Sequence, residues 1–263
     1  MTGSALWYLM RGTGVVSLVL LTLVVLLGVA TRGGGRLSRV PQFVTGRLHR
    51  NVALLSVTFL AVHVITAVLD PFAPIRLIDA VLPFASAYRP VWLGLGALAL
   101  DVFAALIVTS MLRRRLGPRT WRGVHWLAYA AWPVAVLHAL GTGSDVHRPW
   151  MLAIVAMSVV SVLWAVLWRL VDSIVGGRRP ANARPARAPR MAALALVASA
   201  PVALAGWTLS GPLAANWAAR AGTPANLLHH QSTTSVVPAR TSVPAPIVHR
   251  SYVGDDGNQG GDW

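Results

Sequence analysis

The chain has no cysteine and no lysine: its 23 basic residues are all arginines, set against only eight acidic ones. Without cysteine there are no disulfides, iron–sulfur clusters or zinc–thiolate sites, so any metal must be held by histidine or a scarce carboxylate. Charge of either sign is thin. Charged residues make up 12% of the 263 residues, about half the share of a soluble domain, which is roughly 25%. They gather in short clusters, and between the clusters run apolar stretches long enough to cross a bilayer, roughly 18 residues or more. With 55% hydrophobic residues and a mean hydropathy of +0.60, the composition excludes a soluble protein. The net charge of +15 suggests nucleic acid in a soluble context. Here the arginines lie in loops between apolar runs, where they set orientation and meet anionic headgroups, so the expected partner is the lipid bilayer and not nucleic acid.

The apolar runs place six spans at about 12–31, 48–69, 91–112, 121–141, 150–171 and 191–210. The expected fold class is therefore all-α, a polytopic transmembrane bundle of six helices with a disordered tail at 211–263, rich in Pro, Gly, Ser and Thr. Residues 1–11 form an outer segment whose Trp7 and Tyr8 suit a headgroup interface. The length of the first run and the lack of a small-residue cleavage pattern argue against a removable signal peptide. Arginines crowd the loops after spans one and three and the linker at 173–190, whereas the alternate loops hold few. The positive-inside rule then puts the arginine-rich loops in the cytoplasm and both termini outside the plasma membrane. Residues 71–90 are apolar but broken by Pro71, Pro74 and Pro83, which reads as an interfacial or re-entrant segment on the outer face.

Four of the eight histidines fall inside expected spans: His49 and His63 in the second, His125 and His138 in the fourth. A lone intramembrane histidine is often a neutral imidazole bonded to a carbonyl. Two pairs with separations of 14 (63 − 49) and 13 (138 − 125) on two helices point instead to a functional site. Both spans run outwards, so His49 and His125 lie near the inner surface and His63 and His138 roughly 20 Å further out, at ~1.5 Å rise per residue. One imidazole from each helix at each depth suits two iron porphyrins stacked across the bilayer, each held axially by two neutral histidines. Fourteen residues are two heptads, so His49 and His63 share a seam in a left-handed supercoil. Thirteen leave His138 off the face of His125 in a straight helix, and Pro133, between them, is expected to kink or locally rewind the span and so reconcile them.

Propionates need cations. Arg47, Arg50 and Arg122 are placed for the inner group and Arg76, Arg89 and Arg148 for the outer one, although each also reads as a topology signal. Trp126, Trp132 and Phe59 either flank the rings or serve ordinary packing. His147, His229, His230 and His249 read as solvated surface residues. Asp101, inside the third span, belongs to a proton path or to a bond with a neighbouring helix.

The stretches "RLHRNVALLSVTFLAVH" and "TWRGVHWLAYAAWPVAVLH", each with its histidine pair, resemble the ferric reductase-like transmembrane family. That family includes the membrane cores of NADPH oxidases and ferric reductases and the heme subunit of the periplasmic methionine sulfoxide reductase system. The stretches "WYLMRGTG", "RRRLGPRTW" and "HALGTGSD" are similar to actinobacterial members, and the likeness covers residues 7 to about 172. It implies a heme core at 12–172, with two b-type hemes as cofactors: His49 with His125 ligating the inner one, His63 with His138 the outer. It also implies an electron path outwards from the cytoplasm. No Gly-rich dinucleotide fingerprint follows a strand, so no FAD or NAD site is expected. The expected donor is a flavin reductase or a membrane quinol, and the acceptor a periplasmic or extracellular protein or a ferric chelate. The chain then reads as the membrane subunit of a reductase. The competing readings are a proton channel or transporter relaying protons through these histidines and Asp101, and a structural scaffold.

Overall fold

The computed structural model describes residues 2–32, 42–175 and 203–228, and everything it describes in secondary structure is helix or turn. The chain divides into two units, Met1–Ala225 and Asn226–Trp263, and of the second only residues 226–228 are described. In order, the helices are α1 (Thr2–Arg32), α2 (Gln42–Leu69), α3 (Leu77–Val81), α4 (Pro90–Met111), α5 (Arg113–His125), α6 (Ala128–Thr142) and α7 (Pro149–Val175). They are followed by α8 (203–210) and α9 (Trp217–Arg220).

Four segments among the described residues are long and apolar enough to cross a membrane: Ala5–Thr31, Phe43–Leu69, Pro90–Met111 and Pro149–Arg169. They correspond to the first, second, third and fifth expected spans of a multi-pass membrane protein. Each is a helix because lipid offers no partner for a main-chain polar group, and only intrahelical bonds satisfy them all. The sixth expected span lies outside the described residues over 191–202, as does the linker from 176 onwards.

Helices α1 and α2 form an antiparallel pair, and among the described residues α2 packs chiefly on α1. Along α2 the seam repeats every seven residues as His49, Ser56 and His63, with Ser56 buried between the two imidazoles. This is the heptad seam expected from the spacing. The apolar core gathers where α1, α6 and α7 meet. Leu18 and Leu21 of α1 meet Trp132, Val136 and Leu140 of α6 and Met151, Val155, Val159 and Val162 of α7. Residues at intervals of three and four present one face of each helix to that core. Trp132 Nε1 donates to Thr22 Oγ1 at 3.1 Å, and this tryptophan is a residue of that core. Helix α4 packs against α6 from outside the core.

The expected fourth span is in two pieces. Helix α5 breaks at Gly117 (φ 75°, ψ 160°), a left-handed position that glycine adopts without strain. It ends at His125, and α6 starts at Ala128. Between them the bonds shorten to i→i+3: Leu127 N to Val124 O, Tyr129 N to Trp126 O and Ala130 N to Leu127 O, at 2.9, 3.1 and 3.0 Å. The span is thus rewound between the two histidines, one of the two outcomes expected around Pro133. Pro133 lies inside α6, and the rewinding falls in the turn before it, ahead of the carbonyl that proline leaves without a donor. A 3₁₀ turn advances about 120° per residue against about 100° in an α-helix. The extra rotation carries His138 back towards the side of His125, as a spacing of thirteen requires.

The segment before α4 folds back onto that helix. Asp79 caps α3, accepting from Arg76 N and from Arg76 Nη2, both at 3.0 Å. Phe84, at φ 67°, lies so close to α4 that a Cβ on Gly94 would stand 2.6 Å from the Phe84 nitrogen. Leu77, Ile78, Val81 and Leu82 point outwards and are exposed, as suits an element at a membrane boundary.

The tail expected from residue 211 is structured over 211–225. Trp217 lies 5.1 Å from Trp92, between ring centroids, and Trp207 lies 5.2 Å from Trp92. Thr223 and Ala221 are buried. Composition hid this because one tryptophan, Trp217, and one buried threonine, Thr223, anchor an otherwise small-residue segment. Residues 229–263, with His229, His230 and His249, lie outside the described residues.

Candidate functional site

Each histidine of α2 is held by α1. His49 Nδ1 lies 3.0 Å from the Val24 carbonyl oxygen, and His63 Nδ1 lies 2.8 Å from that of Met10. On α6, His138 Nδ1 lies 2.8 Å from the carbonyl oxygen of Trp92 in α4. A carbonyl oxygen only accepts, so all three rings carry their proton on Nδ1. Nε2 is left as a lone-pair donor on the far side of the ring. This is the arrangement by which a metal-binding imidazole is oriented and made more basic.

His125, at the end of α5, stands opposite His49, with ring centroids 6.4 Å apart and planes at 72°. Trp121 stacks on His125 at 5.0 Å and 24°. A metal bonded to one nitrogen of each ring at ~2.0–2.1 Å would hold the two centroids about 6.3 Å apart, so the observed separation fits two axial ligands of one iron. Among the described residues no three histidine or carboxylate side chains converge on a metal position. Pairs of imidazoles therefore suit a macrocycle that brings four donors of its own.

The second pair lies towards the other end of α1. His63 is bonded at Met10, and Arg11 beside it pairs with Asp145, seven residues beyond His138, its Nε donating to Oδ2 at 2.6 Å. The two acceptor carbonyls on α1, Met10 and Val24, are fourteen residues apart, which puts the two levels about 21 Å apart along the helix.

Arg47 and Arg50 are exposed on either side of His49, and Arg122 is exposed one turn before His125, its Nε donating to the Pro118 carbonyl at 2.9 Å. All three therefore lie at the His49–His125 end. The arginines expected at the other end behave differently. Arg76 pairs with Asp79. Arg89 is buried, donating from Nε to Thr223 Oγ1 at 2.9 Å and from Nη1 to the carbonyls of Gly141 and Thr142 at 2.9 and 3.2 Å. It thereby caps the C-terminus of α6, where a cation is favoured. Arg148 and His147 are exposed, Trp126 is exposed beside Tyr129, and Phe59 and Asp101 are half-buried.

Reasoning from sequence alone did not find the acceptor carbonyls, the stacking of Trp121 on His125 or the Arg11–Asp145 pair. A signal for the first was present: Gly14 and Gly28 are separated by the same fourteen residues as His63 and His49.

The family model described as ferric reductase like transmembrane component matches residues 13–136, a range that contains His49, His63 and His125 and stops two residues before His138. No curated protein and no solved structure matches the chain.

Proposed function

Starting from residues 13–136 as a ferric reductase-like transmembrane domain, we propose that the protein conducts electrons across the plasma membrane through two b-type hemes. His49 and His125 hold the inner heme, and His63 and His138 hold the outer one. A heme held by such a histidine pair would supply one-electron transfer rather than a binding site for a substrate. The chain's own part is to fix the imidazoles, exclude water by burying them among helices, and supply cations for the propionates. Arg47, Arg50 and Arg122 serve the inner propionates. The termini face outwards and six helices span, with the expected fourth crossing made by α5 and α6 together. A separate flavin reductase or a quinol is the donor, and an outer protein or ferric chelate the acceptor.

The observation that carries the reading is the pairing of His49 with His125 at 6.4 Å while His49, His63 and His138 each give their Nδ1 proton to a main-chain carbonyl. A proton relay is less well supported by the same geometry, because those three protons go to the backbone and not to another side chain or to Asp101.

The test is heme content of the purified protein by dithionite-reduced absorbance. Wild type should hold two hemes per chain, with His63→Ala and His138→Ala each losing one and His49→Ala and His125→Ala losing the other. A colourless wild type would end the proposal, as would two retained hemes in every variant.

A further inference from the structure

Each of the three backbone-bonded histidines lies against a glycine four residues beyond the carbonyl it uses. The triplets are His63 with Met10 and Gly14, His49 with Val24 and Gly28, and His138 with Trp92 and Gly96. The repetition has a geometric cause. Inside an α-helix the carbonyl of residue i already accepts from the N–H of residue i+4. A side chain from a neighbouring helix can still use the second lone pair of that oxygen. To reach it, the ring must lie across the Cα of residue i+4, the place a Cβ would occupy.

The three approaches differ in closeness. A Cβ at Gly96 would stand 2.5 Å from Cε1 and from Nδ1 of His138, and one at Gly14 would stand 2.9 Å from Cε1 and 3.0 Å from Nδ1 of His63. At Gly28 the nearest atom, His49 Cε1, is 3.5 Å away, an ordinary contact. The two tight approaches both belong to the outer pair. Gly12, two residues from Gly14 on the same helix, has nothing within 4 Å of a built Cβ.

We infer that Gly14 and Gly96 are positioning residues for the outer heme: the absence of a side chain lets His63 and His138 reach the carbonyls of Met10 and Trp92, which fixes both ring planes and aims both Nε2 atoms. The inference rests on the two-heme reading. Gly28 plays the same part for the inner heme with room to spare, so the outer site is the more tightly specified of the two.

The experiment substitutes Gly14, Gly96, Gly28 and Gly12 singly by alanine in the full chain. It reads heme affinity by titration of the apoprotein, and the low-spin ferric signals by electron paramagnetic resonance. Gly96→Ala and Gly14→Ala should weaken outer heme binding by about 10–100-fold, the usual effect of losing a partner that orients a metal ligand, and shift the outer signal. Gly12→Ala should leave both signals in place, and Gly28→Ala, at the inner pair, should leave the outer signal in place. A double-mutant cycle on apoprotein stability separates this role from ordinary helix packing. Alanine at 96 should destabilise the wild-type chain and be tolerated when His138 is also alanine, with the same relation between Gly14 and His63. Unchanged outer signals in Gly14→Ala and Gly96→Ala would overturn the inference while leaving the two-heme reading intact. So would alanine being equally harmful with the ring removed. A wild type that takes up no heme would overturn both.

Discussion

The carboxylate of Asp145, in the loop after α6, receives the Nε proton of Arg11 from the second turn of α1 at 2.6 Å, and Arg11 also lies over the Trp7 ring, 3.8 Å from its centroid. One ion pair thus ties the end of α1 that holds His63 to the loop that follows His138.

Because both partners are largely buried, removing either leaves an uncompensated charge in a poorly solvated place. Arg11→Met and Asp145→Asn should each cost about 1–3 kcal/mol, seen as a lower Tm in detergent. The double variant should lose less than the sum of the two, since it buries no orphaned charge. Additive losses would mean that the pair is not a unit.

Arg89 combines a backbone strain with a structural duty. At φ 43° it occupies the left-handed region, and its guanidinium binds Thr223 and the last carbonyls of α6. Arg89→Ala loses the bonds and keeps the strain, for a cost of about 2–4 kcal/mol. Arg89→Gly loses the same bonds but relieves about 1 kcal/mol of strain, so it should be the milder of the two. Limited trypsin cleavage at Arg220, faster in both variants and fastest in Arg89→Ala, checks the order.

The Arg76–Asp79 cap gives a pH dependence. The hydrogen bond from the Arg76 side chain holds the Asp79 carboxyl below its ordinary value of 3.8. A depressed carboxyl stabilises the folded state above that ordinary value, and the contribution disappears as pH falls through the lower folded value. Hydrogen-exchange protection of residues 76–89, corrected for intrinsic rates, should therefore be level from neutrality down to about pH 4 and fall below it. Asp79→Asn should start lower and show no such fall.

The parts legible in the sequence were those governed by one-dimensional spacing. Four apolar runs became four long helices because lipid leaves the backbone no alternative. The fourteen residues between His49 and His63 became a seam because two heptads return to the same face of a supercoiled helix, and both rings are indeed bonded along α1. The thirteen between His125 and His138 were harder. Pro133 marked the span for a kink or a rewinding, and the rewinding falls at Trp126 and Leu127, in the turn ahead of the carbonyl that loses its N–H donor. Arg89, expected as a cation for the outer propionates or a topology signal, caps α6, and within residues 211–225, expected as a disordered tail, Trp217 packs against Trp92.

By itself the sequence determined that this chain forms long apolar helices suited to a membrane, and it picked out four histidines by their spacing, since length, hydropathy and residue spacing are properties of a single strand of chain. Only the tertiary structure decided which nitrogen of His49, His63 and His138 carries the proton, which carbonyl receives its hydrogen bond and which glycines make room. Those depend on the atoms that a neighbouring helix brings within about 3 Å, and no pattern along one helix specifies what the next will place against it.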